Sequence, residues 1–204
     1  MKETYHHGDL RNGLIEAGLR LAETAGADGF SLREAARNLG VTANAAYRHF
    51  ADKSDLLTAI AAHGFELLSD HLNASLAAAT PNDAAARLRL LGKTYVDLAV
   101  ERPELFRLMF GSYGLCQIMR LPQTSTGATA GQILNAVLDD MVTGGQMSAT
   151  ARNGALLRVW SAIHGFALLA LDGLEGLETQ AKRDLALQGL MEFILKGLFD
   201  QKSG

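Results

Sequence analysis

Residues 31–53, Ser-Leu-Arg-Glu-Ala-Ala-Arg-Asn-Leu-Gly-Val-Thr-Ala-Asn-Ala-Ala-Tyr-Arg-His-Phe-Ala-Asp-Lys, constrain the chain more than any other stretch. Ser31 is a good N-cap, and Glu34 three residues later completes the pattern of a capping box. Leu32, Ala35, Ala36 and Leu39 recur at helical spacing and predict a buried stripe. Gly40 stands where a helix ends in a left-handed residue. Val41 is an apolar plug, and Thr42 suits the cap of a second short helix, Ala43 to Phe50. Asp52 then suits the cap of a third helix.

Two short helices joined by a glycine-containing turn form the helix-turn-helix pattern, whose second helix enters the DNA major groove. On a 100° wheel Ala46 and Phe50 point towards a core. Asn44, Ala45 and Arg48 point away from it, with Ala43, Tyr47 and His49 on the flanks. Alanines on the outward side let the backbone approach base edges. Asn pairs with adenine, Arg with guanine, and an Ala methyl meets a thymine methyl. Tyr47, His49 and Lys53 are suited to phosphates, which fix register rather than sequence. Periodicity alone does not separate this reading from an ordinary helical hairpin.

The stretch from Phe30 to Leu57 resembles the DNA-binding domain of the TetR family of bacterial transcriptional repressors. Its most specific part is Ala46-Tyr47-Arg48-His49-Phe50-Ala51-Asp52-Lys53-Ser54-Asp55-Leu56-Leu57. Downstream, Val159-Trp160-Ser161-Ala162-Ile163-His164-Gly165-Phe166 is similar to the segment of a TetR subgroup named for its Trp, His and Gly. The opening Tyr5-His6-His7-Gly8-Asp9-Leu10-Arg11 resembles the start of that subgroup. The likeness is weak between about residues 80 and 147.

Composition limits the other classes. A chain of 204 residues with 48% hydrophobic residues is long enough for one or two domains with a sizeable core. Three prolines, with abundant Ala and Leu, predict an all-α fold. The single cysteine, Cys116, rules out an intramolecular disulfide framework and fits a cytoplasmic protein. No secretory signal and no membrane span are expected, the longest apolar run being Ala162 to Leu171. Net charge is −3. Within residues 1–53, Lys2, Arg11, Arg20, Arg33, Arg37, Arg48 and Lys53 are balanced by Glu3, Asp9, Glu16, Glu23, Asp28, Glu34 and Asp52. The DNA reading therefore stands on the motif and not on a basic domain.

The expected organisation is a 1–53 helix-turn-helix DNA-binding domain and a 54–204 helical domain for effector binding and dimerisation. Residues 1–8 read as a polar arm. Asp9 is expected to cap a first helix running to about Ala25, followed by a turn at Gly26 to Gly29. Asp52 opens a long helix to about Ala79, too long for the small domain alone. Thr80-Pro81-Asn82-Asp83 breaks it. Helices follow from Ala84 to Glu101, from Pro103 through Phe110, and from about Ala128 to Thr143. Gly111 to Gly127 reads as loose, with at most a helical turn at Leu115 to Met119. Ser148 is expected to cap one long helix to about Leu171, and the last helix runs from Thr179 to about Asp200.

No catalytic motif, cofactor loop or metal site is expected. Cys116, His164 and Asp172 lack any spacing that supports nucleophilic chemistry. His63 and His71 are eight residues apart, too far to share one small ion, and they read as surface or core histidines. His164 reads first as a packing residue whose ring bonds a neighbour, with Gly165 leaving room for another helix. Phe106, Met109, Phe110, Met119, Met141, Trp160 and Phe166 suit either a helical core or an adaptable apolar cavity.

The last two long helices are apolar on more than one side, through Leu156, Val159, Ile163, Leu168 and Leu171, then Leu185, Leu187, Leu190, Phe193, Ile194 and Leu198. Such helices need two partners. The resemblance implies the second: a homodimer through a four-helix bundle, whose two reading helices meet a palindromic operator. It places DNA contacts at Arg33, Thr42, Ala43, Asn44, Ala45, Tyr47, Arg48, His49 and Lys53. It implies a small-molecule effector in the larger domain, for which Phe106, Met109, Phe110, Met141, Trp160 and His164 are the candidates here. Two rivals make other demands. A helical enzyme or carrier needs polar groups converging on the cavity. A partner-binding helix-turn-helix tolerates loss of Tyr47 and Lys53.

Overall fold

The computed structural model describes residues 10–79, 83–113 and 129–199. Among these, every regular element is an α-helix: α1 Leu10–Ala25, α2 Leu32–Asn38, α3 Ala43–Tyr47, α4 Lys53–Ala79, α5 Ala84–Glu101, α6 Pro103–Phe110, α7 Ala130–Thr143, α8 Ala149–Arg152, α9 Ala155–Leu171 and α10 Gln180–Phe199. None of the described helices is long and apolar enough to cross a membrane. The expectations for the polar arm, the Asp9 cap, the Thr80-Pro81-Asn82 break, the Leu115 to Met119 turn, Cys116, Met119 and the end at Asp200 fall outside the described residues.

The chain forms two compact units. The first contains α1, α2, α3, α4 as far as Glu66, and α6. The second contains the rest of α4 with α5 and α7 to α10. These packing units cut α4 at Glu66 and draw α6 into the first core. Leu105, Phe106 and Met109 are buried there. Arg102 also pairs with Glu23 of α1 at 2.6 Å. The long helix α4 runs through both units, as its length of 27 residues requires.

Close helix contacts in the first unit depend on two glycines. A Cβ at Gly18 of α1 would stand 2.9 Å from Ile60 Cδ1 and 3.0 Å from Leu56 Cδ2. One at Gly64 of α4 would stand 2.6 Å from Met109 Cγ and 2.8 Å from Leu105 Cδ1. Gly64→Ala should therefore overpack the α4–α6 contact and cost about 1–2 kcal/mol, because a mid-chain Met carbon must move. Urea unfolding checks this; an unchanged midpoint would mean that α6 shifts at no cost.

His63, one residue earlier, places Nε2 3.1 Å from Glu16 of α1 and Nδ1 3.6 Å from Glu66. It is an α1–α4 bridge at the surface.

The second unit buries Leu88, Leu138, Met141, Val159, Met191 and Leu195. The single helix expected after Ser148 is two. Ser148 caps only α8, its hydroxyl accepting from the Ala151 N–H at 3.0 Å. Asn153 is then extended, and Gly154 sits at φ 71°, ending one helix and starting the next. The other boundaries of the second unit lie within two residues of the expected ones, and Thr129 with Gln132 forms a full capping box.

Candidate nucleic-acid interface

The local chemistry of residues 31–53 produces two helices in a fixed relation. Ser31 Oγ accepts from the Glu34 N–H at 3.2 Å. The reciprocal arm expected of a capping box is replaced, because the Glu34 carboxylate lies 3.5 Å from Arg37. Gly40 has φ 69°, a conformation that costs glycine little and other residues more. The Val41 N–H returns to the Ala36 carbonyl at 3.1 Å, which tightens the turn. Thr42 Oγ1 then accepts from the Ala45 N–H at 3.3 Å and opens α3. The second helix is shorter than expected: it ends at Tyr47, with Arg48 as its C-cap. Ala46 and Phe50 are buried and hold it to the core. Asp52 Oδ1 accepts from the Asp55 N–H at 2.9 Å, capping α4 as expected.

Polar side chains around α3 fall into two groups. Some are committed within the chain. Lys53 Nζ donates to the Asp28 carbonyl at 3.0 Å and lies 5.1 Å from the centre of the Phe30 ring. Arg11 lies over the Phe50 ring at 5.3 Å, and Arg37 pairs with Glu34. Others are uncommitted. Among the described residues, the side chains of Arg33, Asn44, Tyr47, Arg48 and His49 are exposed and make no hydrogen bond or ion pair within the chain. Thr42 is exposed with its hydroxyl engaged in the cap, and Ala43 and Ala45 are half-buried beside Asn44. Helical geometry puts Asn44 and Arg48 on the line opposite buried Ala46. Tyr47 is 44% exposed, unusual for an aromatic ring with no internal partner.

The six candidate effector residues do not assemble in either unit. Phe106 and Met109 are fully buried in the first, and the Phe110 ring lies 4.7 Å from Phe106 and 5.3 Å from Phe65. Met141, Trp160 and His164 belong to the second, with Met141 fully buried. Sequence reasoning missed the residue that organises the last two. Tyr95 of α5 places its hydroxyl 2.9 Å from His164 Nδ1 and accepts from Trp160 Nε1 at 3.3 Å. Burial pushes the Tyr95 phenol well above its ordinary value and His164 below its own. The only sequence signal for Tyr95 is a tyrosine on the buried stripe of α5. A Cβ at Gly165 would meet no atom within 4 Å, so none of the described residues fills the space beside α9 there. A separate surface groove between α5 and α10 is lined by Arg89, Lys93, Asp184, Leu187, Gln188 and Met191. It includes none of the candidates.

Comparison with known proteins is consistent along the chain. Residues 14–60 match the family model described as bacterial regulatory proteins, tetR family. Residues 88–194 match the model described as tetracyclin repressor-like, C-terminal domain. Two proteins named HTH-type transcriptional regulators, from Mycobacterium bovis and Mycobacterium tuberculosis, are each 26% identical over 131 residues. That stretch is 64% of this chain, and the chain spans about half the length of these relatives (55%). A Rhodococcus sp. protein of unknown function is similar with a TM-score of 0.78 at 27% identity, covering 97% of this chain and 100% of that one. A TetR family transcriptional regulator from Thermus thermophilus shares the fold, with a TM-score of 0.61 at 19% identity over 91% of this chain and 98% of its own. With the second model alone covering more than half of its residues, the chain belongs to the TetR family of bacterial regulatory proteins.

Proposed function

We propose that this protein is a transcriptional regulator that binds a palindromic operator as a homodimer and leaves it when a small molecule binds the second unit. The observation that carries the reading is the uncommitted set on and around α3, among the described residues. Arg33, Asn44, Tyr47, Arg48 and His49 are exposed hydrogen-bonding groups without internal partners, beside a helix of small residues. Tyr47, Arg48 and His49 are assigned to phosphates, and Asn44 with Arg33 to base edges. Lys53 keeps a phosphate role only through the N–H groups that Asp28 does not use.

The dimer is assigned to α9 and α10, as the resemblance implies. Leu157 on α9 is 62% exposed, and Leu185 and Phe193 on α10 are 71% and 76% exposed. These apolar side chains recur at helical spacing on faces opposite the buried ones. A second copy covering them would also bring two reading helices to successive major grooves. The effector acts only through a difference in affinity between the DNA-binding state and the released one. A coupling of about 1–3 kcal/mol suffices for a 5- to 150-fold change in operator affinity.

The test is binding of the purified protein to the DNA upstream of its gene across a salt series, followed by random-sequence selection if that DNA is silent. Wild type should bind with two protomers per site, and affinity should fall steeply with salt. Tyr47→Ala/Arg48→Ala should weaken binding and lower the salt slope by about 2, one for each Arg48 of the dimer, since the uncharged Tyr47 releases no counterion. This pair is preferable to one with Lys53, whose loss would also disturb the Asp28 and Phe30 contacts. Equal binding by both proteins would remove α3 from the interface.

A further inference from the structure

We infer that Asn44 selects adenine in each operator half-site, with Ala43 and Ala45 biasing the neighbouring pairs towards A·T. This rests on the DNA-binding reading and specifies what that surface recognises.

Position comes first. Asn44 is the second residue of α3, in the turn at which reading helices meet base edges, and it lies opposite buried Ala46. Arg48 shares that line but is the C-cap, one turn further along. Arg33 belongs to α2.

Reach comes second. A carboxamide is short, so it reads a base only where the helix backbone comes close to the groove floor. The side chains beside Asn44 are the methyl groups of Ala43 and Ala45, which do not hold the helix away. Thr42, the next residue back, has its hydroxyl engaged with the Ala45 N–H.

Chemistry comes third. The Asn44 amide makes no hydrogen bond within the chain among the described residues, so its donor and its acceptor are both available. Adenine presents N7 as acceptor beside the N6 donor, which matches a carboxamide in two bonds. Guanine presents two acceptors, and one would face the amide oxygen. Methyl groups on both sides favour the thymine methyl over the polar edge of cytosine.

The experiment is random-sequence selection with the full-length wild type and Asn44→Ala, then affinity measurement on the selected site. Wild type should fix adenine at one position in each half-site. Asn44→Ala should release that position, losing about 5- to 150-fold of discrimination there while keeping the others. Replacing that adenine by 7-deazaadenine, which lacks N7, should weaken wild type a few-fold and leave Asn44→Ala unchanged. Thermal unfolding of the variant should match wild type, since the position is exposed and Ala favours the helix. If Asn44→Ala still fixes the same adenine, or if the released position carries guanine or cytosine in the wild-type site, the assignment is wrong. If wild type enriches no sequence at all, the DNA-binding reading falls and takes this one with it.

Discussion

Phe106→Ala is expected to lower stability by about 3–5 kcal/mol, the largest effect of any substitution considered. The ring is 1% exposed. Its centre lies 4.7 Å from Phe110, which itself meets Phe65 of α4 edge-on at 5.3 Å. Removing it deletes the transfer free energy of a full aromatic side chain and leaves a cavity that rigid α1 and α4 cannot close. The loss falls in the unit that carries α3, so operator binding should fail with it at temperatures where wild type is folded. Phe106→Leu refills much of the volume and should cost less than half as much. Urea unfolding at 25 °C decides between this and a ligand-contact role for Phe106. A contact in an open cavity would leave the unfolding midpoint within the error of wild type and alter only an effector response. A loss below about 1 kcal/mol for Phe106→Ala would show that the α6 packing is not what closes the first unit.

The two outcomes for Phe106 show where sequence and structure part. The reading head was legible because its signals are local. Ser31, Gly40, Thr42 and Asp52 each act within four residues, and each sits where the pattern required. Helix α3 was overextended to Phe50 because Phe50 continues the apolar period while the backbone has already left the helix. The long helix α4 was visible from its unbroken periodicity, and its length already required it to leave the small domain and join the second. Which unit takes α6 depends on Gly64 giving way to Met109 and Leu105, side chains over forty residues away in sequence. The break at Gly154 was legible in the Asn153-Gly154 dipeptide, a turn signal that the apolar period from Leu156 onward masks. The effector candidates rest on residue type, and type does not distinguish a core phenylalanine from a cavity wall. Tyr95 escaped notice for the same reason. Its partner His164 stands 69 positions away, and only the folded chain sets a hydroxyl between an imidazole and an indole.

Tyr95→Phe should cost about 2–3 kcal/mol although it removes a single oxygen, because that oxygen serves two groups. Indole N–H only donates, so Tyr95 must accept from Trp160. The phenol, kept protonated by burial, then has its one hydrogen for His164 Nδ1 at 2.9 Å. We assign that hydrogen to this bond, which makes His164 Nδ1 the acceptor and puts the imidazole proton on Nε2. Protonating Nδ1 would displace the phenol hydrogen from this bond, and the half-buried ring is poorly solvated, which depresses its basicity. The pH dependence has a definite sign. The unfolded chain takes up the His164 proton at about pH 6.5, whereas the folded chain resists it to lower pH. Stability is thus fully present above about pH 6.5 and is lost progressively as pH falls towards the folded value. His164→Asn keeps an acceptor near the Nδ1 position but cannot titrate. Unfolding midpoints of wild type and His164→Asn, measured from about pH 8 to pH 5, should converge on acidification, because only wild type loses this contribution. The other histidines cancel in the comparison. A constant difference across that range would mean that His164 is protonated with equal ease in both states, and the relay would then be packing alone.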